Sequence, residues 1–584
     1  MLTRVRTLAI SAFLVVAMLG TSEALAAETF RFHGSGYGHG IGMSQWGAYG
    51  LAKKGWGHER ILTHFYSGTR VVRPGSLPAQ IRVGLTSGRS VIHLQARNGP
   101  VRLWLEGPGG RFVGKIPWGK TWAVKTPAKQ RGYAIRDHTG ALVGGRRWGG
   151  PSNPLFATFA NTGARVFVPE ADEVWRRGYT YAYGFLEFDL VGCASRCRER
   201  LTIQLPFERY LRGMGEMPSS WPAAALRTQA VAARTFAAYK IKRHGLRADC
   251  DCHLLDGASD QVYVGFNKEN GVDGERWVAA VDASTGQVVT YGGSLIQAFY
   301  AASDGGYTEN VEDVWHGGND AYAIPYLRGV CDPGEHTSAN PWTDWTRSFT
   351  ASSVSTRLAP YTGGIGTIRR FTDVRRGVSG RIISALARGT GGSARVTGRE
   401  LRAGLGLPDG RVWINEDRNI VGSIRSKYDR LMCRPGLPTS KTVTLDHGSR
   451  QLFKRGGIYR NGRADLTVWL RGEIHREYLG VGDARGRLGL PVSTPKAPAR
   501  TLAARACSSC RHLVLEGGRI YLKRGLGAHA LWGPVLSSYL EHGGATGALG
   551  YPRTRVRTVD GVKRAGFEHG TIECAGGGCN VTVV

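Results

Sequence analysis

One segment constrains the fold of this chain more than any other. Eight of the sixteen residues from Ala223 to Ala238 are alanine, the residue with the highest helix propensity. Because small side chains on every face let other backbones approach closely, we expect this helix to be buried. Ser219 and Ser220 are candidate N-caps, and Pro222 suits the first turn. The rest of the chain must therefore surround this helix.

Short apolar runs alternate with glycine-rich turns between residues 81 and 205, as in "IRVGL", "VRLWLEG", "FLEFDLVG" and "LTIQLP". This spacing is typical of β-strands. Mixed strands and turns return after the alanine-rich helix, as far as "GRELRAGLGLP". We therefore predict an α+β fold, with a β-rich part at 78–205 and a second part, built around the helix, at 206–435.

The last part of the chain, 441–584, contains an internal repeat. "GGIY" at Gly456–Tyr459 recurs within "GGRIY" at Gly517–Tyr521, and "LGLP" at 488–491 recurs as "LGYP" at 549–552. A later "FEHGTI" is predicted to open a third unit. Repeats of this size usually stack into an array that carries a binding surface, so we predict a β-rich repeat domain here.

The N-terminus predicts export. Arg4 and Arg6 precede an apolar run from Leu8 to Leu19, and Ala24-Leu25-Ala26 has the small-x-small pattern of a signal-peptidase site. The run is shorter than the roughly 18 residues that span a bilayer. We therefore predict a cleaved signal peptide at 1–26 and no transmembrane anchor.

The net charge of +32 (77 Lys and Arg, 45 Asp and Glu) favours a polyanionic setting. Nucleic acid, an anionic membrane and an anionic cell wall are the candidates, and export argues against nucleic acid as a partner. Hydrophobic residues make up 42% of the chain, which argues against an intrinsically disordered protein. An anionic membrane and anionic cell-wall polymers remain open as partners at this point.

The ten cysteines also agree with an oxidising compartment, and disulfides are the expected state. Their number is even, and eight of them form close pairs, leaving Cys331 and Cys433; the close pairs are Cys193/Cys197, Cys250/Cys252, Cys507/Cys510 and Cys574/Cys579. Connectivity stays open at this stage. A redox-active C-x-x-C at 507–510 is the alternative, but no βαβ pattern surrounds it.

Two segments carry candidate chemistry. In "GSGYGHGIGMSQWGAYG", glycines around His39, Ser44 and Gln45 let the backbone approach a ligand closely. The alternative is a glycine-rich turn that leads into a helix over Ala48–Tyr66.

The second segment places Glu216 among Met214, Met217 and Trp221, ahead of the alanine-rich helix. Apolar surroundings raise a carboxyl pKa and suit it to proton donation, whereas a nearby helix N-terminus lowers it. The sign of the shift therefore stays open, and an acid that only satisfies a helix start is the alternative. Arg234, inside the helix, needs a protein carboxylate or a substrate oxygen as partner.

Four segments together resemble the SpoIID/LytB family of bacterial cell-wall proteins, which includes stage II sporulation protein D and amidase enhancers. They are "YLRGMGEMPSSWPAAALRTQAVAARTFA", "SDQVYVGF", "AFYAASDGGYTENVEDVW" and "GHGIGMSQWGAYGLAKKG". Sporulation-type members are lytic transglycosylases that use a Glu in the "EMP" motif. The resemblance implies Glu216 and Arg234 as catalytic residues, and a SpoIID/LytB-like catalytic domain at 27–435 whose GHG segment is 27–72.

The same resemblance suggests residues that contact the substrate. These predicted substrate-binding residues are His39, Ser44, Gln45, Gln229, Tyr263, Ser303 and Trp221. Trp46 or Trp221 is expected to stack on a sugar ring. Asp304, Glu309 and Asp313 are expected to shape the cleft.

Two features depart from the family. The GHG motif usually closes the domain but here opens the chain, as if circularly permuted, which is tolerable where termini lie close together. Some members also bind zinc through Cys and His near a "QxY" motif, with a Cys before the Gln, whereas here Asp260 precedes Gln261. We expect no metal or cofactor; zinc is the alternative, with weak candidate ligands His244, Cys250, Cys252 and His253.

These observations predict a secreted, wall-associated lytic transglycosylase that cleaves peptidoglycan glycan strands and leaves 1,6-anhydroMurNAc ends. The alternative is a non-catalytic protein of the amidase-enhancer type, which binds peptidoglycan and stimulates an N-acetylmuramoyl-L-alanine amidase. A third possibility is a purely structural wall-binding protein. The repeat region resembles LGFP repeats of wall-associated actinobacterial proteins, which implies that 441–584 holds the protein to the wall.

Overall fold

A computed structural model describes residues 28–126, 132–159, 163–171, 177–497, 507 and 509–584. It has about 24% helix and 36% strand, which confirms the predicted α+β class. The predicted signal peptide lies outside the described residues. Within the described part of the chain, no helix combines the length and apolar character needed to cross a bilayer.

Helices are short, apart from the alanine-rich one. In chain order they are α1 (Gln45–Lys53), α2 (His58–Phe65), α3 (Phe207–Arg212), α4 (Ala223–His244), α5 (Phe266–Glu269), α6 (Gly274–Ala283), α7 (Val311–Trp315), α8 (Ala351–Thr362), α9 (Gly398–Leu405), α10 (Gly422–Arg430), α11 (Gly472–Gly480) and α12 (Gly533–Glu541). The single helix considered for Ala48–Tyr66 is therefore two, α1 and α2, separated at Gly55 and Gly57.

Strands dominate the rest. Up to residue 414 they are β1 (Thr29–Gly34), β2 (Met43–Ser44), β3 (Arg70–Val72), β4 (Gln80–Arg89), β5 (Val91–Arg97), β6 (Val101–Leu105), β7 (Arg111–Ile116), β8 (Thr121–Lys125), β9 (Ala134–Arg136), β10 (Leu155–Thr158), β11 (Arg165–Val168), β12 (Tyr179–Tyr181), β13 (Phe185–Val191), β14 (Arg198–Pro206), β15 (Leu254–Leu255), β16 (Val288–Tyr291), β17 (Ser294–Leu295), β18 (Tyr300–Ala301), β19 (Trp345–Thr350), β20 (Ile368–Arg376), β21 (Ile382–Gly389), β22 (Gly392–Thr397) and β23 (Val412–Ile414). In the repeat region they are β24 (Val443–Leu445), β25 (Gly448–Phe453), β26 (Gly456–Asn461), β27 (Leu466–Leu470), β28 (Arg511–Leu515), β29 (Gly518–Lys523), β30 (Gly527–Trp532), β31 (Arg557–Val559), β32 (Val562–Phe567), β33 (Gly570–Ala575) and β34 (Gly578–Val583).

The β-rich part consists of two sheets. A seven-stranded sheet has the order β15-β4-β14-β13-β10-β6-β7, and a five-stranded sheet has the order β12-β11-β5-β8-β9. All pairings are antiparallel except that of β15 with β4. Buried residues of both sheets and of α4 belong to one hydrophobic core, so the strands support the helix.

The helix α4 is buried along most of its length, as predicted. It packs against α1, α2, α6 and β16, which its small side chains allow. The predicted caps are wrong: the helix begins at Ala223 with Pro222 at the N-cap position and no side-chain cap. Ser219 and Ser220 lie instead in a turn closed by the bond from Trp221 N to Pro218 O.

The N-terminal segment joins strands from much later in the chain. β1 pairs with both β19 and β23, β3 pairs with β16, and β2 runs parallel to β18 with Met43 opposite Tyr300. Gly42 permits this close approach, because a Cβ there would lie 2.2 Å from the carbonyl oxygen of Phe299, and its φ is +69°. The start of α1 is thereby placed beside residues 299–303.

The repeat region is a stack of three sheets, β24–β27, β28–β30 and β31–β34. α10 packs on the first sheet, α11 on the second and α12 on the third. The internal repeat is also visible in side-chain bonds: Tyr478 donates to Gly489 O and Tyr539 to Gly550 O, 11 residues on in each case. The segment "FEHGTI", predicted to open a third unit, lies instead at the turn between β32 and β33, inside the sheet β31–β34.

All ten cysteines are paired in five disulfides. Disulfides were the expected state, and the structure supplies the connectivity that the sequence left open. Each close pair forms a bridge, and Cys331 and Cys433 join each other across 102 residues. This last bridge ties the segment after α10 to the loop that precedes β19.

Candidate functional site

Glu216 lies in the turn between α3 and α4, on a segment held against residues 262–264. Gly215 N donates to Val262 O at 2.9 Å, and Met214 forms a bridge with Tyr263. The Glu216 carboxylate accepts hydrogen bonds at Oε1 from Val262 N at 2.7 Å and from the Tyr300 hydroxyl at 3.1 Å. The residue as a whole is partly buried.

The sign of the Glu216 pKa shift, which the sequence left open, is positive. Burial raises the pKa and outweighs the hydrogen bonds from Val262, Tyr300 and Gln45, and the charge of Lys268, all of which lower it. Lys268 donates to the Met217 carbonyl, and burial lowers the pKa of its ammonium to about 8. The pocket thus favours a neutral carboxyl that is ready to donate its proton.

A chain of hydrogen bonds extends from Glu216 into the core. Tyr210 donates its hydroxyl proton to Gln261 Oε1 at 2.9 Å, and Gln261 Nε2 donates to the Tyr300 oxygen at 2.9 Å. The Tyr300 hydroxyl in turn donates to Glu216. Tyr210 and Gln261 are buried and Tyr300 is half-buried against the same core, so this chain of bonds orients the carboxylate.

The GHG segment brings Gln45 and Trp46 to the same place. Gln45 lies within hydrogen-bonding reach of the Glu216 carboxylate, and its Nε2 donates to Gln229 Oε1 at 3.2 Å. Trp46 and Trp221 have ring centroids 4.6 Å apart, and Tyr49 lies 5.0 Å from Trp221. An aromatic cluster of this kind offers flat apolar surface next to the acid.

His39, Ser44 and Ser303 lie around this centre without contacting Glu216. The His39 ring packs against Trp315, with centroids 5.4 Å apart, and burial lowers its pKa to about 4. It lines a cavity of about 90 Å³ with Trp315 and Arg402. Ser44 and Ser303 both donate hydrogen bonds to the buried Glu335.

Arg234 finds its partner within the protein. Its guanidinium is fully buried and donates to both carboxylate oxygens of Glu208, at 2.9 and 2.8 Å, and to the carbonyls of Gln287 and Val281. Of the two alternatives drawn from the sequence, a protein carboxylate is the one observed. These contacts hold α4 against α3 and α6, so the Arg234 side chain supports the packing of these helices.

Tyr263 is also part of the core. Its ring lies against Tyr210 and Tyr181, with centroids 5.1 and 6.0 Å away, and burial raises its pKa well above the ordinary value. Its backbone, rather than its phenol, contributes to the site, because Met214 pairs with it there.

The expected cleft acids bond to other residues. Glu309 accepts from Ser379, and Asp313 accepts from Asn310 Nδ2 at 3.0 Å. Asp304 is buried beside Glu335.

Residues 197–291 match the family model described as SpoIID, Stage II sporulation protein.

Curated relatives agree with that match. Stage II sporulation protein D of Bacillus subtilis is 30% identical over 213 residues, which is 35% of this chain and 58% of that protein. The amidase enhancer of Bacillus subtilis is 35% identical over 142 residues, 24% of this chain and 17% of that protein. An uncharacterized protein of Brachyspira hyodysenteriae is 34% identical over 146 residues, 24% of this chain and 36% of that protein. The chain thus spans 17% to 58% of these relatives.

The SpoIID match covers a smaller stretch than the resemblance suggested. It includes Glu216, Arg234 and Gln261, whereas Gln45 and Tyr300, which complete the site in space, lie outside it. The site therefore depends on segments on both sides of the SpoIID match.

The weak zinc candidates are not gathered as thiolate and imidazole ligands. Cys250 and Cys252 are joined in a disulfide. His253 Nδ1 accepts from Arg82 N at 2.9 Å, and the His244 ring packs near Tyr239. Because zinc binds cysteine as a free thiolate, the disulfide removes Cys250 and Cys252 from the candidate ligands.

Sequence reasoning missed three members of the site: Tyr300, Gln261 and Lys268. Tyr300 lies inside the quoted segment "AFYAASDGGY", and Gln261 lies inside "SDQVY". The signal was a polar or phenolic residue inside each quoted motif. Lys268 had no such signal, because its role depends on burial beside Met217.

Proposed function

We propose that this protein is a secreted, wall-associated lytic transglycosylase that cleaves the glycan of peptidoglycan, with Glu216 as the general acid and base. The observation that carries the proposal is the partly exposed Glu216, whose carboxyl has a raised pKa and is held by Val262 N and the Tyr300 hydroxyl. The SpoIID match over this residue supports the same assignment.

The proposed reaction needs a single acid. Glu216 donates its proton to the glycosidic oxygen as the bond to the MurNAc anomeric carbon breaks. The resulting carboxylate then accepts the proton of the sugar's own 6-hydroxyl, whose oxygen bonds to the anomeric carbon and closes a 1,6-anhydro ring. Glu216 is neutral again at the end, and no water is consumed.

The surroundings of Glu216 suit both halves of this cycle. Burial raises the pKa of the carboxyl and so favours its protonated form, while the hydrogen bonds from Val262 and Tyr300 and the charge of Lys268 stabilise the carboxylate that forms midway. Hydrolysing glycosidases instead use two carboxyl groups roughly 5 to 9.5 Å apart. The groups that contact Glu216 are an amide N–H, a phenol and a Gln side chain.

Substrate contacts are proposed for the neighbouring residues. Trp46, Trp221 and Tyr49 offer aromatic surface on which a pyranose ring can stack, and Gln45 offers an amide for sugar hydroxyls. The positive net charge of +32 and the stacked repeats, which we propose to be LGFP-like, would keep the protein at an anionic wall.

A second candidate is supported by the similarity to an amidase enhancer. In that case the same surface would bind peptidoglycan and a partner amidase, without cleavage. Glu216 would then act as a ligand for the glycan only, and its proton would not matter.

Digestion of purified glycan strands, with and without stem peptides, separates the two candidates. Mass spectrometry of the fragments should show 1,6-anhydro ends with the wild-type protein and none with Glu216→Gln, in which a Gln oxygen can still accept from Val262 and Tyr300. Glu275→Gln, the same change on an exposed residue of α6, is the matched control. Equal products from the wild type and Glu216→Gln would refute the proposal that Glu216 catalyses glycan cleavage.

The enhancer role is measured in the same preparation by adding a purified wall amidase. Stimulation that survives in Glu216→Gln, together with no anhydro product from any variant, would establish the second candidate instead.

A further inference from the structure

Three carboxylates are buried together beside the N-terminus of α1. Asp304, Asp332 and Glu335 are each at most 1% exposed, and one oxygen from each lies within 4.8 Å of the other two. Asp304 follows β18, while Asp332 and Glu335 lie just after Cys331. Like charges this close and this dry repel strongly, so the protein must supply compensation.

Hydrogen bonds compensate only part of the cluster. Gly306 N donates to Asp304 Oδ1 and Gly334 N donates to Asp332 Oδ1, both at 2.7 Å. The second oxygen, Oδ2, of each aspartate is fully buried and has no hydrogen-bond partner among the described residues. Both unpartnered oxygens belong to a cluster that is otherwise well built, and that is where a missing ligand is expected.

Glu335 is the member of the cluster whose two carboxylate oxygens both accept hydrogen bonds. Its Oε2 accepts from Ser44 Oγ at 2.6 Å, and its Oε1 accepts from Gly305 N and from Asn340 Nδ2, at 3.1 and 3.0 Å, as well as from Ser303. These donors are neutral. They orient the carboxylate but leave its charge in place.

The nearby cations are engaged elsewhere. Arg381 contacts Asp409 through Nε and Nη2, at 2.8 Å each. Arg411 donates to the Ser379 carbonyl and to Ser35 Oγ. Burial raises the pKa of Asp304 and of Asp332 well above the ordinary value. The charge of Glu335 adds to this for Asp304, although Arg381 and Arg411 act against it, and the charges of Asp304 and Glu335 add to it for Asp332.

We propose that Asp304, Asp332 and Glu335 bind a calcium ion that fastens the first turn of α1 to the loop after Cys331. Ca²⁺ prefers carboxylate oxygens at about 2.3–2.6 Å, so two of its ligands can lie up to about 5 Å apart. Mg²⁺, with ligands at about 2.0–2.1 Å, tolerates a spread of only about 4.2 Å. The candidate oxygens lie within 4.8 Å of one another, which Ca²⁺ can accommodate. Mg²⁺ moreover gives up its waters reluctantly, so three carboxylates that are at most 1% exposed suit Ca²⁺ better.

The position of the cluster gives the ion a role. Ser44, which binds Glu335, is the N-cap of α1, and the next residue is Gln45, which reaches Glu216. A Cβ on Gly47, in the first turn of α1, would lie 1.8 Å from Asp332 Oδ2, so the turn sits directly on the cluster. Calcium would stabilise this turn, and it would do so whether or not Glu216 cleaves glycan.

The test uses purified protein dialysed against EDTA and then against metal-free buffer. Addition of CaCl₂ at a hundred times the dissociation constant should raise the Tm by roughly 3 °C or more, and the same concentration of MgCl₂ should have a smaller effect. Equilibrium dialysis with radioactive calcium should give about one ion per chain. Asp332→Asn and Asp304→Asn should each abolish the Ca²⁺ shift, since each removes a charged ligand.

The matched control is Asp251→Asn. Asp251 belongs to a second acidic group with Glu187 and Asp189, but that group is paired with Arg82 and Arg200 and is more exposed. Its variant should keep the full Ca²⁺ shift. If wild-type protein binds no calcium in dialysis, if magnesium raises the Tm as much as calcium does, or if both cluster variants keep the shift, the proposal is wrong. The dialysis of wild-type protein decides the matter even if a cluster variant fails to fold.

Discussion

Two glutamates in this molecule have similar local bonds and opposite acidities. Glu216, beside α4, and Glu568, between β32 and β33, each accept a hydrogen bond from a backbone N–H, of Val262 and of Tyr551 respectively. Burial raises the pKa of Glu216 despite its bonds. For Glu568, burial also acts to raise the pKa, but the bonds from Lys523 and Tyr551 outweigh it and the pKa is lowered.

The difference shows that a hydrogen bond from a backbone N–H does not by itself decide whether the pKa of a carboxyl is raised or lowered. Glu568 has a direct ammonium partner and solvent nearby, so it stays charged and supports the turn at Gly550, much as Glu516 does at Gly489. Glu216 has neutral donors, with Lys268 acting only through its charge. The charged carboxylate of Glu568 stabilises a turn, whereas the raised pKa of Glu216 makes its carboxyl a better proton donor.

The two glutamates also link stability to pH in opposite directions. The raised pKa of Glu216 favours the folded state at acid pH, and that contribution is lost as the pH rises through the raised value. The lowered pKa of Glu568 favours the folded state above the ordinary glutamate pKa, and that contribution is lost as the pH falls.

The largest expected effect is a difference in the rate of glycan cleavage when each of the two glutamates is replaced by Gln. Glu216→Gln should lower the rate of glycan cleavage by roughly 10²- to 10⁴-fold, the usual contribution of a general acid. Glu568→Gln should leave that rate unchanged, because its carboxyl only supports a turn. Rates of release of 1,6-anhydro ends from soluble glycan measure both. Equal losses in the two variants would mean that folding, and not proton transfer, is being measured.

The buried ion pair of α4 gives the next effect. Arg234→Met should lower the free energy of unfolding by about 2–3 kcal/mol, because Glu208, whose side chain is 38% exposed, keeps partial access to water after its partner is lost. Lys523→Met, which removes the partner of Glu568, should cost about 1 kcal/mol or less.

Urea unfolding measures both changes. Activity per folded molecule should change less than tenfold in Arg234→Met, since the guanidinium points at Glu208. A much larger loss of activity with unchanged stability would restore the catalytic role that the resemblance implied for Arg234.

Removal of 441–584 tests whether wall retention and glycan cleavage belong to different regions of the chain. Retention on isolated wall sacculi should fall about tenfold, while activity on soluble glycan should be kept, since Glu216 and its partners lie before the repeats. The truncation also uncovers α10, whose Tyr428 stacks on Phe453 with ring centroids 5.3 Å apart. Pelleting with sacculi measures retention, and equal pelleting of the truncated protein would show that the repeats do not bind the wall.

The smallest effect concerns the pH profile. The Tyr300 hydroxyl lowers the Glu216 pKa by donating to the carboxylate, so Tyr300→Phe should raise that pKa. Activity, which requires protonated Glu216, falls as the pH rises, and this falling limb should move upward by about one pH unit. Tyr183→Phe, which removes the bond to Glu269, is the control. If the falling limb of the pH profile does not move in Tyr300→Phe, the Tyr300 hydroxyl does not influence the pKa of Glu216.

Local patterns allowed much of this molecule to be predicted. The α+β class, the buried alanine-rich helix and the disulfide-bonded state of the cysteines were predicted from local patterns, and each is found. Which cysteines pair was left open by the sequence. The N-cap prediction failed, because Ser219 and Ser220 are used by a turn that ends at Trp221. The single helix considered after the GHG motif failed for a related reason: Gly55 and Gly57 end one helix before the next begins.

The sequence by itself determined which residues are available: a glutamate in an apolar segment, a small-residue helix, paired cysteines and a repeated sheet motif. Only the tertiary structure decided how they are used. Met43 opposite Tyr300 in a parallel pair, Arg234 on Glu208, and three carboxylates gathered under α1 all join residues distant in the chain. A pKa depends on such distant neighbours through burial and charge, so the proton-donating role of Glu216 could be suspected from the sequence but required the fold for its sign.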